Sequence, residues 1–204
     1  MKKKIAIIDV LGSHGSSHHF YLSGQIAGIA DSIDVNLYTN NHTEIPDIEN
    51  LKCYYFFKDL FVSRYKIISF FKWATGMIRS ILHARISSVK VFHFHVFNTN
   101  ILVLIQLILV KILFAKTVLT IHDVIPLSEK KYSSILARWI YRLTDIIFTH
   151  NSFSKNEIVK ISNKLNIHVI PHGNYIPFIN FKYNTLESRN YLGVHKAKNI
   201  LLFF

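Results

Sequence analysis

Cysteine is nearly missing from this 204-residue chain: Cys53 stands alone, which excludes an internal disulfide framework and cysteine-rich zinc modules and fits a reducing compartment. Long apolar runs are missing too. The best transmembrane candidate, Ile101–Ala115, is 15 residues long and carries Gln106 and Lys111, whereas a span needs about 20 mostly apolar residues. It reads as a buried helix. A secretory leader also fails, because the apolar run after Lys2, Lys3 and Lys4 is broken by Asp9. Acidic residues are scarce, 12 against 24 Lys and Arg, and none occurs between Leu60 and His122. The net charge of +12 points to an anionic partner: nucleic acid, a membrane surface or a phosphorylated substrate. What the chain has in quantity is apolar surface, 50% hydrophobic with 14% aromatic residues, too much for a disordered or low-complexity segment.

Short β-rich runs alternate with longer helical ones. Strands are expected at Lys4–Val10, Ile33–Thr39, Lys52–Phe57, Val89–Val96, Thr117–His122, Asp145–His150 and Ile167–Ile170. Helices are expected at His18–Ala30, Val62–Ile86, Asn98–Ala115, Tyr132–Leu143 and Ser154–Leu165, the last opened by a Ser154/Glu157 capping box. Such alternation predicts an α/β fold, a Rossmann-like parallel sheet with helices on both faces. We expect this domain to occupy residues 1–180. Within residues 181–204, Thr185–Leu192 reads as a short helix stopped by Gly193, and Lys198–Phe204 as a strand that could not bury itself, the first of a second domain.

Histidine supplies the first functional signal. His14 and His18 follow the first strand, and His95, His122, His150 and His172 fall at the ends of four others. A parallel sheet puts all those ends on one edge, where open α/β folds bind ligands. With 12 histidines in 204 residues some would fall there by chance, yet the recurrence favours a site. The His93-x-His95 pair and Asp123 also have ligand chemistry, but no third ligand lies at close spacing, so no metal residue is assigned and a histidine-liganded metal hydrolase is the remote reading.

Between first strand and first helix, Gly12–Ser17 could hold a phosphate or sugar hydroxyl on its backbone N–H groups. It matches neither the GxGxxG fingerprint nor a Walker A loop, which argues against dinucleotide binding. Tyr65–Ile86 joins Phe70, Phe71, Trp73, Met77, Ile78, Ile81 and Leu82 to a stripe of Lys72, Arg79 and His83. With Arg85, Lys72 and Arg79 make this helix a candidate for the headgroup region of an anionic membrane, the plainer alternative being a core helix with a solvated basic stripe. No nucleic-acid reading motif accompanies the basic residues.

Taken in order, these pieces resemble the N-terminal, acceptor-side domain of GT-B fold, family 4-like glycosyltransferases. The resemblance rests on Lys4–Val10 with its glycine loop, Leu119–Asp123, Asp145–Ser152, Val169–Gly173, and Arg189–Gly193 leading into Asn199–Phe204. It implies sugar transfer from a nucleotide-sugar donor, held mainly by a C-terminal domain that would lie beyond Phe204, to a lipid-linked or polysaccharide acceptor. Carried over by motif position, His122 contacts the donor sugar and Asp123 orients it or the acceptor. Gly12 and Gly15 approach the donor phosphates, and His172 and Gly173 line the cleft, with His14, His18, His95 and His150 as further substrate-side residues. The implied transfer is metal-independent, with no cofactor, and the implied location is cytoplasmic, peripheral on the inner face of the membrane. This chain alone is expected to be inactive or nearly so. The rival expectation is a non-catalytic, membrane-recruiting subunit that pairs with a separate donor-binding chain.

Overall fold

The computed structural model describes residues 2–14, 18–45, 47–124, 133–173, 184–194 and 199. By compactness the chain divides into Met1–Gly173 and Asn174–Phe204. The first unit contains seven strands: β1 (Lys3–Ile8), β2 (Ile33–Tyr38), β3 (Leu51–Tyr54), β4 (Val91–Val96), β5 (Lys116–Ile121), β6 (Ile146–Thr149) and β7 (Ile167–Val169). Its helices are α1 (His18–Ala30), α2 (Lys66–Ile86), α3 (Ile101–Ile112), α4 (Ser134–Leu143) and α5 (Ser152–Ser162). All neighbouring strands are parallel, in the order β3-β2-β1-β4-β5-β6-β7.

Alternation along β1 divides the core between the two faces of the sheet. Ile7, with Val35 and Leu37 of β2, packs against Leu22, Ile26 and Ala30 of α1. Ala6 and Ile8 belong to the other cluster, which includes Met77 and Ile81 of α2 and Leu107 and Val110 of α3. Full burial of a Leu or Ile side chain contributes roughly 1.5–3 kcal/mol, so each α1 contact is a substantial part of what holds that face. The expected parallel sheet with helices around it is therefore present.

Several expected boundaries move, each for a local reason. The Lys52–Phe57 strand ends at Tyr54, and α2 starts at Lys66 rather than Val62, because residues 56–62 form turns with Asp59 in the left-handed region at φ 52°. Ser154 does not cap α5: Asn151 does, its side chain accepting from Ser154 N at 2.8 Å, which puts Ser154 inside the helix. Asn100 caps α3 in the same way. The expected buried helix Ile101–Ala115 is buried on one side only. Val103, Gln106, Leu107 and Val110 point in, whereas Ile101, Ile105, Ile108 and Ile112 are exposed.

In the second unit, α6 (Thr185–Tyr191) is opened by a capping box between Asn184 and Glu187, and Gly193 ends it at φ +65°. Apart from Asn199, the expected strand at 198–204 lies outside the described residues.

Candidate functional site

The strand order reverses direction at β1, which pairs with β2 on one side and β4 on the other. Open α/β sheets bind ligands at such a switch point, beyond the carboxyl ends of the strands. Asp9, the residue after β1, is buried there. Its Oδ1 accepts from Gly12 N at 2.8 Å and its Oδ2 meets Nε2 of His18, the first residue of α1, at 2.5 Å. This bond ties the start of the helix to the end of the strand before it.

Registers bring in the rest. Ile121 pairs with Thr149, so His122 and His150, the next residue of each strand's path, stand side by side, and His95 lies one strand over, opposite Thr120. His95 Nδ1 is 3.2 Å from His122 Nε2, and His122 Nδ1 is 3.2 Å from His150 Nε2. The outer nitrogens face Gln25 Oε1, 3.0 Å from His95 Nε2, and the Ile170 carbonyl, 3.1 Å from His150 Nδ1. His172 places its ring 4.8 Å from that of His150. The Tyr21 ring stands 4.9–5.5 Å from those of His95, His122, His150 and His172. Phe97 stacks on His122 at 4.3 Å, with the planes 9° apart. Five of the six rim histidines thus converge.

Burial governs the protonation of this rim. It pushes His122 down to about 3, helped by His150, His18 and His172. Burial likewise sends His95 well below its ordinary value, with its histidine neighbours adding to the effect. His150 is lowered by burial against the opposing pull of the Ile170 carbonyl. At neutral pH these rings are uncharged and retain lone pairs. His93 sits deeper: burial lowers it to about 4, against the pull of Asp9, and its Nε2 meets Thr120 Oγ1 at 2.8 Å. The His93-x-His95 pair is therefore divided between core and rim.

The remaining expected residues fall differently. His14 leaves the rim and stacks on Phe61 at 4.0 Å. Gly15 lies outside the described residues. Gly12 is buried at φ +50°, where an added Cβ would stand 1.8 Å from Thr43 Oγ1, so close packing demands the glycine. Asp123 is exposed, and its charge acts on His150, while both His122 nitrogens face other histidines. Gly173 is exposed and its carbonyl is 3.2 Å from His172 Nδ1. Asp9, Tyr21, Gln25 and Phe97 belong to the rim but were not expected there. A signal for two of them exists: His18, Tyr21 and Gln25 follow the i, i+3, i+7 spacing of one helix face. Beside the rim a cavity of about 150 Å³ is lined by Asp9, His95, Gln106, Trp73, Phe94 and Phe97 among others.

The expected membrane helix is corrected in part. Trp73, Met77 and Ile81 are core residues, not surface, and His83 is half-buried with its Nδ1 2.9 Å from the Tyr38 hydroxyl. Phe70, Phe71, Ile78 and Leu82 are exposed as expected, and Ile67 and Ile68 are exposed with them. An apolar groove lined by Ile78, Leu82, Leu109 and Ile112 runs between α2 and α3. Lys72 donates to the Asp59 carbonyl at 3.0 Å, Arg79 lies 4.8 Å from the centre of the Phe56 ring, and Arg85 donates to the Val89 carbonyl at 2.7 Å. Among the described residues, no helix is long and apolar enough to cross a membrane.

Comparison with known proteins agrees with this architecture. The fold is similar to that of sucrose-phosphate synthase from Thermosynechococcus elongatus, with a TM-score of 0.68 at 12% identity over 96% of this chain and 54% of that one. It is also similar to UDP-GlcNAc 2-epimerase from Methanocaldococcus jannaschii, with a TM-score of 0.53 at 12% identity over 83% of this chain and 45% of that one. The chain thus spans about half the length of either structure. No curated protein matches the sequence. The family model described as Glycosyltransferase Family 4 matches residues 18–174, a stretch that runs from the first rim histidine of α1 to just past the last. The chain belongs to glycosyltransferase family 4.

Proposed function

We propose that this chain forms the acceptor-side half of a transferase that moves a sugar from a nucleotide-sugar donor to a lipid-linked or polysaccharide acceptor. The observation that carries the reading is the convergence of His18, His95, His122, His150 and His172 at the switch point of the sheet, beside a cavity with both polar and aromatic lining. Aromatic faces suit the C–H surface of a sugar ring, and neutral imidazoles suit its hydroxyls, since each offers one donor and one acceptor. In this reading His122 and Asp123 stand nearest the transferred sugar, with His150, His172 and Gly173 along the cleft wall. The donor diphosphate, whose departure needs electrostatic stabilisation, is held by a C-terminal domain or by a separate donor-binding subunit. Residues 1–180 are the acceptor domain and 181–204 lead into the donor side.

The exposed apolar residues of α2 and α3, with Lys72, Arg79 and Arg85 beside them, support a peripheral position on the cytoplasmic face of an anionic membrane, where a lipid-linked acceptor is found. The test is transfer of label from a panel of radiolabelled nucleotide sugars into the lipid fraction of membranes, with the chain alone and co-expressed with a family 4 donor-binding domain. Label is expected with both halves together, and His122→Ala should reduce it by about 100-fold, the usual effect of losing one preorganised polar contact to the reacting group. Incorporation that is unchanged in His122→Ala would remove the rim from the reaction.

A further inference from the structure

We propose that the cavity beside the histidine rim receives the acetamido group of an N-acetylated amino sugar at the end of the acceptor. This deepens the transferase reading and rests on it, because it takes the rim to face a saccharide. The cavity, of about 150 Å³, is walled by residues from the carboxyl ends of β1 and β4 and by residues of α2 and α3.

Gln106 carries the argument. The buried residues of α3 are Val103, Gln106, Leu107 and Val110, so an amide stands where packing alone would favour an apolar side chain. Gln106 is only 8% exposed, lines the cavity, and has no hydrogen-bond partner among the described residues. A buried amide left unpaired costs free energy, and a partner from outside the chain removes that cost. The neighbouring polar side chains are already committed. Asp9 meets Gly12 N and His18, and His95 meets Gln25 and His122. Asn100 Oδ1 accepts from Leu102 N at 2.9 Å and Val103 N at 3.2 Å, and its Nδ2 donates to the Asn98 carbonyl at 3.3 Å. Trp73, 9% exposed, adds an indole N–H that has no partner among the described residues either.

Size and charge select the occupant. A cavity of about 150 Å³ takes a group the size of benzene, too small for a whole sugar ring with its hydroxyls and ample for one ring substituent. No Lys or Arg lines it, and the Asp9 carboxylate does, which disfavours a carboxylate or a phosphate. A free ammonium would lose its hydration among Trp73, Phe94 and Phe97, with both Asp9 oxygens already taken. A hydroxyl could meet Gln106 but would leave the aromatic walls bare. An acetamido group answers both: its methyl lies against the aromatic side chains and its amide pairs with Gln106. The pairing holds for either orientation of the Gln106 side chain, since Nε2 donates to the acetamido carbonyl or Oε1 accepts from its N–H. A trapped water on Gln106 is the alternative that the test must separate.

The experiment follows the fluorescence of Trp73 in the full chain carrying Trp139→Phe. The chain has two tryptophans and Trp139 is exposed, so this variant leaves Trp73 as the one reporter. The probes are the methyl glycosides of N-acetylglucosamine and N-acetylgalactosamine, set against those of glucose, galactose and glucosamine. The acetamido glycosides should bind at least about tenfold more tightly than their hydroxyl and amine counterparts, the usual effect of filling one apolar pocket. Gln106→Leu should erase that preference and leave the melting temperature unchanged or raised, because it removes an unpaired buried amide. Saturation-transfer NMR on the parent chain needs no variant, and the acetyl methyl should receive the most saturation. Equal binding of the acetamido and hydroxyl glycosides, or a preference that survives in Gln106→Leu, overturns the proposal and leaves the rim as a saccharide site. Absence of saturation at the acetyl methyl overturns it too, since water then fills the cavity. Label transfer in His122→Ala reads the transferase reading separately from all of these outcomes.

Discussion

The two ends of one parallel sheet carry polar clusters of opposite character. At the amino-terminal edge, Asp145, just before β6, accepts from Thr117 N at 2.7 Å and Thr117 Oγ1 at 3.0 Å, and also from Lys111 and Lys116. Donors meet an acceptor there, and a negative charge meets positive ones. At the carboxyl edge, like groups meet like: histidine faces histidine through His95, His122 and His150, with Gln25 and the Ile170 carbonyl at the two ends. A cluster that completes itself holds a fold together. One built of neutral imidazoles, each able to donate or accept, can exchange its partners for groups outside the chain such as sugar hydroxyls.

Substitutions at the two ends should therefore separate function from stability. His122→Ala should lower transfer by about 100-fold while shifting the melting temperature little, because the ring lies at the rim rather than in the core. A large loss of thermal stability together with unchanged transfer would reverse the assignment. Next in size is the surface of α2. Reversing the charges of Lys72, Arg79 and Arg85 to Glu should weaken binding to anionic vesicles by at least about tenfold, at about 1 kcal/mol per nearby cation. Co-sedimentation reads this directly, and unchanged binding would leave the apolar face without a membrane role.

The smallest effect belongs to Asp145. Burial pushes its carboxyl up, but the bonds from Lys111 and Thr117 outweigh that and hold it at about 2, below the ordinary 3.8. The unfolded chain thus takes up this proton first as pH falls. The contribution is present above about pH 4 and is lost progressively toward about pH 2. Asp145→Asn should flatten that part of the acid unfolding curve and leave sugar transfer unchanged. An acid limb identical to that of the parent chain would show that this carboxylate does not couple to folding.

The parallel sheet was legible because β-rich runs and helical runs alternate with few prolines to interrupt them, and His122, His150 and His172 could be placed on one edge from their positions alone. His14 could not be placed, because its stacking on Phe61 joins two loops 47 positions apart and leaves no periodic trace. The position of His122 beside both His95 and His150 depends on strand order and register, which no local pattern states. Tyr21 and Gln25 were recoverable from helical spacing once His18 was placed at the rim. The half-exposed character of α3 was hidden by composition: twelve residues with only Gln106 and Lys111 polar read as buried on all sides, yet Ile101, Ile105, Ile108 and Ile112 form an exposed stripe. Sequence alone does not decide between Ser154 and Asn151 as the cap, since the two have equal capping chemistry three residues apart.

The central claim is that the histidine rim is the sugar-facing site, and the imidazole ¹⁵N–¹H spectrum of the full chain tests it most directly. The chain would be titrated with a panel of nucleotide sugars and with lipid-linked saccharides in micelles. Saturable shifts are predicted at His95, His122 and His150, with His42 and His168 unmoved. A rim that stays unmoved by every sugar and every lipid-linked saccharide would contradict the account.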